Sequence, residues 1–274
     1  MLLLVPSPEP KVSSGAIYNL TKFAETAPKN INTLLNMSIV KLLLDSCASN
    51  ELHVRKSAVV CLSILSGPNA NNSVHIDLKS RDVIAALVDI LGRDDSMEIQ
   101  EECAYTLANL SRDHGNKIDI RKCGGVKILV RLLESLDPDV KKNVALTLCS
   151  VLDDHASKTD FRNLNGIKPL MELLASDFAE IQEPALNCLI RCSEDRKKFL
   201  ILVSCRKDLL RSGGLKKLIE FISQKAGDNH HLALICIKNC LEDGSINCPN
   251  LSRLSYAVCR KPRNTSFGKI DGSR

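Results

Sequence analysis

Cysteine and histidine are the residues in this chain best suited to metal or nucleophile chemistry. There are twelve Cys and six His, and Cys236, Cys240, Cys248 and Cys259, with His230 and His231 nearby, offer four ligands on paper. Zinc sites favour Cys separated by about two to four residues, usually as two such pairs. Here the intervening stretches are three, seven and ten residues long. Cys188/Cys192 and Cys236/Cys240 are i,i+4 neighbours in largely apolar surroundings, where a free thiol packs as a small hydrophobe. The expectation is no metal and no cofactor. Asp153-Asp154-His155 sets two carboxylates beside an imidazole, but where a helix gives way to a polar loop. A hydrolytic nucleophile needs a strained turn such as Gly-x-Ser-x-Gly, and none occurs. Neither Gly-x-x-x-x-Gly-Lys-[Ser/Thr] nor Gly-x-Gly-x-x-Gly is present. The chain reads as non-enzymatic.

The bulk composition narrows the partners. Hydrophobic residues make up 44% and aromatic residues only 3%, with no Trp, so the core must rest on Leu, Ile, Val, Ala and Cys. Few rings are available to stack nucleic-acid bases. From Gly244 onward, Arg253, Arg260, Lys261, Arg263, Lys269 and Arg274 oppose only Asp271, which accounts for the whole formal charge of +5. A neutral body has no long-range attraction for phosphate backbones, so nucleic acid is not an expected partner. Met1–Val5 is apolar but stopped by Pro6 and unlike a secretory signal. No stretch approaches the roughly 20 apolar residues of a membrane span. A soluble, cytoplasmic protein with reduced thiols is expected.

Internal repetition then fixes the architecture. The segments beginning at Ile99, Val140 and Ile181 align without gaps and fall 41 residues apart, with looser copies from Val54 and Asn229. Upstream of them lies a second shared block, Gly125-Val126-x-x-Leu129-Val130-x-Leu132-Leu133, repeated from Gly166 and Gly214 and, less fully, from Ile84. Its apolar residues follow helical spacing rather than strand alternation. Asp137 and Pro138 carry helix-start chemistry, and the Gly pairs at Gly124 and Gly213 suit left-handed turns between helices. A single unit cannot cover both faces of its long helix, so units must stack into a solenoid.

The Gly-[Val/Ile]-x-x-Leu-Val-x-Leu-Leu block and Ala104-Tyr105-Thr106-Leu107-Ala108-Asn109-Leu110 resemble the armadillo-repeat family. The resemblance implies an all-α, right-handed superhelix of about five repeats over residues 15–243. Ala16–Leu20 reads as the last helix of a truncated preceding repeat. Residues 1–14 are expected to be disordered, and 244–274 to form a basic, mostly disordered tail or a short cap around Leu251–Val258. Asp137–Asn143, Gly213–Leu218 and Asn239–Asp243 resemble one larger family member in particular. That likeness implies a ciliary or sperm-associated setting.

The resemblance also places the functional face. In family members that bind extended peptides, an Asn ladder on the last helix of each repeat grips the peptide backbone, since an amide both donates and accepts. The corresponding positions here hold Ile64, Asn109, Ser150, Arg191 and Asn239. One turn earlier, where nuclear-import carriers have Trp, stand Val60, Tyr105, Leu146, Asn187 and Ile235. Without an aromatic wall to hold Lys or Arg, a nuclear-import adaptor is disfavoured. The candidate groove is Tyr105, Asn109, Leu146, Ser150, Asn187, Arg191, Ile235 and Asn239, with Tyr105, Asn109 and Arg191 as hot-spot candidates. The expected partners are other proteins, bound as extended or helical segments. The competing reading is a structural repeat segment with no binding site of its own. Partner identity and oligomeric state are not legible.

Overall fold

A computed structural model of the chain describes residues 1–67, 81–93, 96–194, 200–223 and 229–241, and these are helical throughout apart from turns. A 3-10 turn at Leu2–Leu4 precedes fifteen helices: α1 (Pro10–Thr26), α2 (Pro28–Asn36), α3 (Ile39–Cys47), α4 (Leu52–Ser66), α5 (Arg81–Gly92), α6 (Met97–Leu110), α7 (His114–Lys122), α8 (Gly125–Leu132), α9 (Pro138–Val151), α10 (His155–Asn163), α11 (Ile167–Leu173), α12 (Ala179–Ser193), α13 (Leu200–Arg211), α14 (Gly214–Ser223) and α15 (His230–Leu241). They fall into triplets ending on the long helices α4, α6, α9, α12 and α15. In the triplet that ends on α6, the first position falls at residues outside the description.

The long helices α1, α4, α6, α9, α12 and α15 pack on one another in chain order. Their inward residues explain why. Leu62, Leu107, Leu148 and Leu189 take the same place on four successive helices, and all are fully buried. Each such side chain contributes on the order of 1.5–3 kcal/mol by leaving water. The stack supplies the cover that no isolated triplet has.

Local chemistry sets the corners. Asp137 caps α9, its carboxylate accepting from the Asp139 and Val140 amides at 2.8 and 3.0 Å, with Pro138 opening the helix. Asp113 caps α7 and Asp154 caps α10 in the same way. Gly124 and Gly213 adopt φ of 77° and 73°, the left-handed region that glycine enters without steric cost. The glycine after each allows close packing: a Cβ at Gly125 would lie 2.7 Å from the Ile120 carbonyl oxygen. The corner before α11 is built differently. There Asn165 takes the left-handed place at φ 54°, and Gly166 sits against the Phe161 ring, where a Cβ would approach within 2.2 Å.

Carbonyls at the ends of the long helices are satisfied by side chains from short ones, as helix ends require. Asn116 donates to the Leu110 carbonyl at 2.9 Å, Lys158 to that of Arg191 at 2.7 Å and Arg206 to that of Ser193 at 3.0 Å. Cations at helix C-termini also complement the dipole.

The amino terminus differs from the expected disorder over 1–14. Val5 is buried, Ser13 Oγ donates to its carbonyl at 2.6 Å, and α1 already begins at Pro10. The reason is that α1 belongs to the stack, and the leading 3-10 turn packs back against it. The expected tail and the cap at Leu251–Val258 lie outside the described residues, as do Cys248 and Cys259.

Candidate protein-binding groove

Residues four apart share one face of a helix. The predicted pairs therefore project together: Val60/Ile64 from α4, Tyr105/Asn109 from α6, Leu146/Ser150 from α9, Asn187/Arg191 from α12 and Ile235/Asn239 from α15. Inward neighbours fix their angle. On α9, Ala145, Thr147 and Leu148 are buried while Leu146 between them is 44% exposed; on α15, Cys236 and Ile237 are buried while Ile235 is 41% exposed. The result is a stripe of solvent-facing apolar and amide side chains crossing the stacked helices.

Tyr105 is half-buried and leans toward α4. With Ala24, Ile31, Ser63 and Ile64 it lines a cleft of about 190 Å³, and a Cβ on Gly67 would lie 4.0 Å from its hydroxyl. Asn109 is only 8% exposed, and its Nδ2 has no hydrogen-bond partner among the described residues. Leaving such a donor unsatisfied costs about 1–3 kcal/mol.

Other predicted positions are already engaged. Arg191 donates from Nη1 to Asp153 on the preceding triplet, and Asp153 also accepts from Lys117 Nζ at 2.6 Å. Asn239 donates to Ser193 Oγ at 3.2 Å on the neighbouring helix. The structure thus divides the candidates. Tyr105, Leu146 and Ile235 offer unspent surface and Asn109 an unspent donor, whereas Arg191 and Asn239 tie adjacent helices together. Asp153, Asp154 and His155 are likewise structural in position: a triplet-bridging ion pair, a helix cap and the first residue of α10.

Two groove features escaped the sequence reading. The first is on α1. α1 packs on α4 as the later long helices pack on one another, with Ile17 and Thr21 buried in the seam. Tyr18 and Lys22 then continue the stripe, with Lys22 Nζ 5.6 Å from the Tyr18 ring centroid. The signal was present in Ala16-Ile17-Tyr18, but no repeat block precedes it to set the alignment. The second is Cys149, half-buried beside Ser150. A hydrogen bond with Cys188 lowers its pKa to about 7, helped by the Arg191 and Lys117 cations and opposed by burial. Cys188, Cys192, Cys236 and Cys240 are instead buried. His230 stacks edge-on with Phe221, ring centroids 5.6 Å apart. No grouping of three or more metal-ligating side chains occurs among the described residues.

Comparison with known proteins follows the same lines. The armadillo/β-catenin-like repeat model matches residues 113–152, which is the triplet α7–α9. Human armadillo repeat-containing protein 3 is 34% identical over 143 residues, 52% of this chain and 16% of that protein. The chain thus spans a small part of that relative. Among solved structures, a designed armadillo repeat protein in complex with the peptide (KR)4 superposes with a TM-score of 0.75 at 18% identity, covering 87% of this chain and 97% of that one. A structure from work on the interaction between cadherin and β-catenin gives 0.78 at 22% identity, covering 92% of this chain and 46% of the other. An engineered protein gives 0.75 at 24% identity, covering 89% and 95%. The triplet matched by the family model and these superpositions together show that the described residues have the armadillo-repeat solenoid fold.

Proposed function

We propose that this chain is a non-enzymatic scaffold that holds a segment of another protein along the inner face of the solenoid, centred on Tyr105, Asn109 and Leu146. The observation that carries the reading is the Asn109 amide. A buried, unpaired donor is a cost to folding, and a bound main-chain carbonyl would relieve it. Tyr105 and Leu146 flank it with apolar surface, and Tyr is enriched among the residues that dominate binding energy at protein interfaces. Arg191 and Ser150 border the site, and Arg191 would have to exchange Asp153 for a partner to take part. The proteins that share this fold include one solved with a bound peptide, which supports the choice of partner class.

Cytoplasmic residence belongs to the same proposal and is supported by the burial of Cys47, Cys61, Cys188, Cys192, Cys205, Cys236 and Cys240 as thiols rather than disulfides. No helix among the described residues is long and apolar enough to cross a membrane. A ciliary or sperm-associated setting rests on resemblance alone and is tested by imaging the tagged protein in ciliated cells.

The test is selection from a displayed peptide library on immobilised protein. Binders are expected to lose at least tenfold in affinity against Tyr105→Ala combined with Asn109→Ala, with the melting temperature unchanged or raised. Undiminished binding by that variant rejects the groove.

A further inference from the structure

A second surface lies away from the groove, along the edge where each middle helix turns into a long one. Four consecutive turns each expose one large apolar side chain: Leu52 at 46%, Met97 at 51%, Leu136 at 84% and Phe178 at 60%. These residues stand 45, 39 and 42 positions apart, so they recur once per repeat and form a row. Isolated exposed apolar residues are ordinary, but a regular row marks an interaction surface. Carboxylates flank it. Glu51, Asp177, Glu180 and Glu183 are exposed. Two of the nearby lysines are already engaged, Lys56 with Glu98 at 3.5 Å and Lys142 with both Asp139 and Glu180.

We infer that this edge docks an amphipathic helix of a partner protein, one with apolar residues at heptad spacing flanked by Lys and Arg. Spacing and charge both select that occupant. Packed helices lie about 8–10 Å apart, and seven residues of a helix advance about 10 Å at 1.5 Å each. A helix lying along the row therefore meets each turn with every seventh residue. Its own backbone bonds are satisfied internally, as they must be against a surface of apolar groups and carboxylates. Lys or Arg beside its apolar stripe would face these exposed carboxylates, Asp177 and Glu183 foremost, and complementary charge steers such an encounter.

The experiment uses the full chain and a fluorescein-labelled peptide of three Lys-Leu-Ala-Lys-Lys-Leu-Ala heptads, followed by anisotropy at low salt. A second peptide carries Glu for every Lys. The expected result is saturable binding of the Lys peptide, weakened at least tenfold by Leu136→Ser with Phe178→Ser and unchanged by Tyr105→Ala with Asn109→Ala. The Glu peptide should not bind. Asp177→Lys with Glu183→Lys should weaken the Lys peptide while leaving every apolar residue in place, which guards against a folding defect in the first variant. Equal binding by all variants, or loss only in the groove variant, overturns the assignment. So does a dimer in sedimentation that the Leu136/Phe178 variant abolishes, since a second copy would then be the occupant. The groove reading survives every one of these failures, and loss of the peptide only in the groove variant would strengthen it.

Discussion

The two faces of one long helix carry different kinds of information. On the inward face the residue type repeats: Leu62, Leu107, Leu148 and Leu189 stand in register and all are buried. Two residues further along, on the face that lines the groove, the corresponding positions hold Ile64, Asn109, Ser150 and Arg191. Repetition is what stacking demands, because each inward side chain must fit the same neighbour. Variation is what a particular partner demands. Where the repeat breaks is therefore where function is to be sought.

That contrast can be broken most sharply on α9. Leu148→Ala is expected to cost about 2–5 kcal/mol, the range for deleting a buried leucine. Leu146→Ala, two residues earlier and solvent-facing, should cost no more than about 0.5 kcal/mol. Urea denaturation of the two variants checks this, and equal losses would dissolve the distinction between faces.

Glycines give the next largest difference. Gly125→Ala pushes a Cβ to 2.7 Å from the Ile120 carbonyl, and overpacking of that kind costs about 1–3 kcal/mol. Gly15→Ala in α1 meets nothing within 4 Å and should instead stabilise by about 0.5–1 kcal/mol through helix propensity. Opposite shifts in thermal midpoint are the expected outcome.

Capping sharpens the same comparison at smaller scale. Asp137→Ala removes the carboxylate that accepts from two amide N–H groups at the start of α9 and should cost about 1 kcal/mol. Glu51→Ala, at the α4 start where the side chain makes no cap bond, should leave the denaturation midpoint where it was.

The smallest effect concerns reactivity rather than stability. The thiolate is the nucleophile, and the Cys149 pKa is lowered to about 7. Its alkylation by iodoacetamide should therefore accelerate as pH rises through about 7, rather than through the ordinary thiol range. Cys188, fully buried and with its own pKa raised by burial, should stay unmodified in the native protein. Peptide mass spectrometry separates the two sites.

How far the sequence could be read follows from how local each determinant is. Asp137-Pro138 and Gly124-Gly125 announce a cap and a corner within a few residues, so the repeat boundaries were legible. Asn165 replacing glycine at a left-handed position was not, since the Gly-x-x-Leu block drew attention to Gly166 instead. The partners of groove residues were hidden altogether. Arg191 reaches Asp153 across 38 positions and Asn239 reaches Ser193 across 46, distances that only stacking closes. Val5 is buried for the same kind of reason: its cover comes from the way the first turn folds onto α1, and nothing in Met1–Pro10 alone requires it.

The most direct test of the account places a photo-crosslinking amino acid at position 146, on the inner face, or at position 168, an exposed site on α11. Each protein is irradiated with the binders selected from the peptide library. Crosslinks from 146 and none from 168 are predicted. Crosslinks from 168 with none from 146 would contradict it.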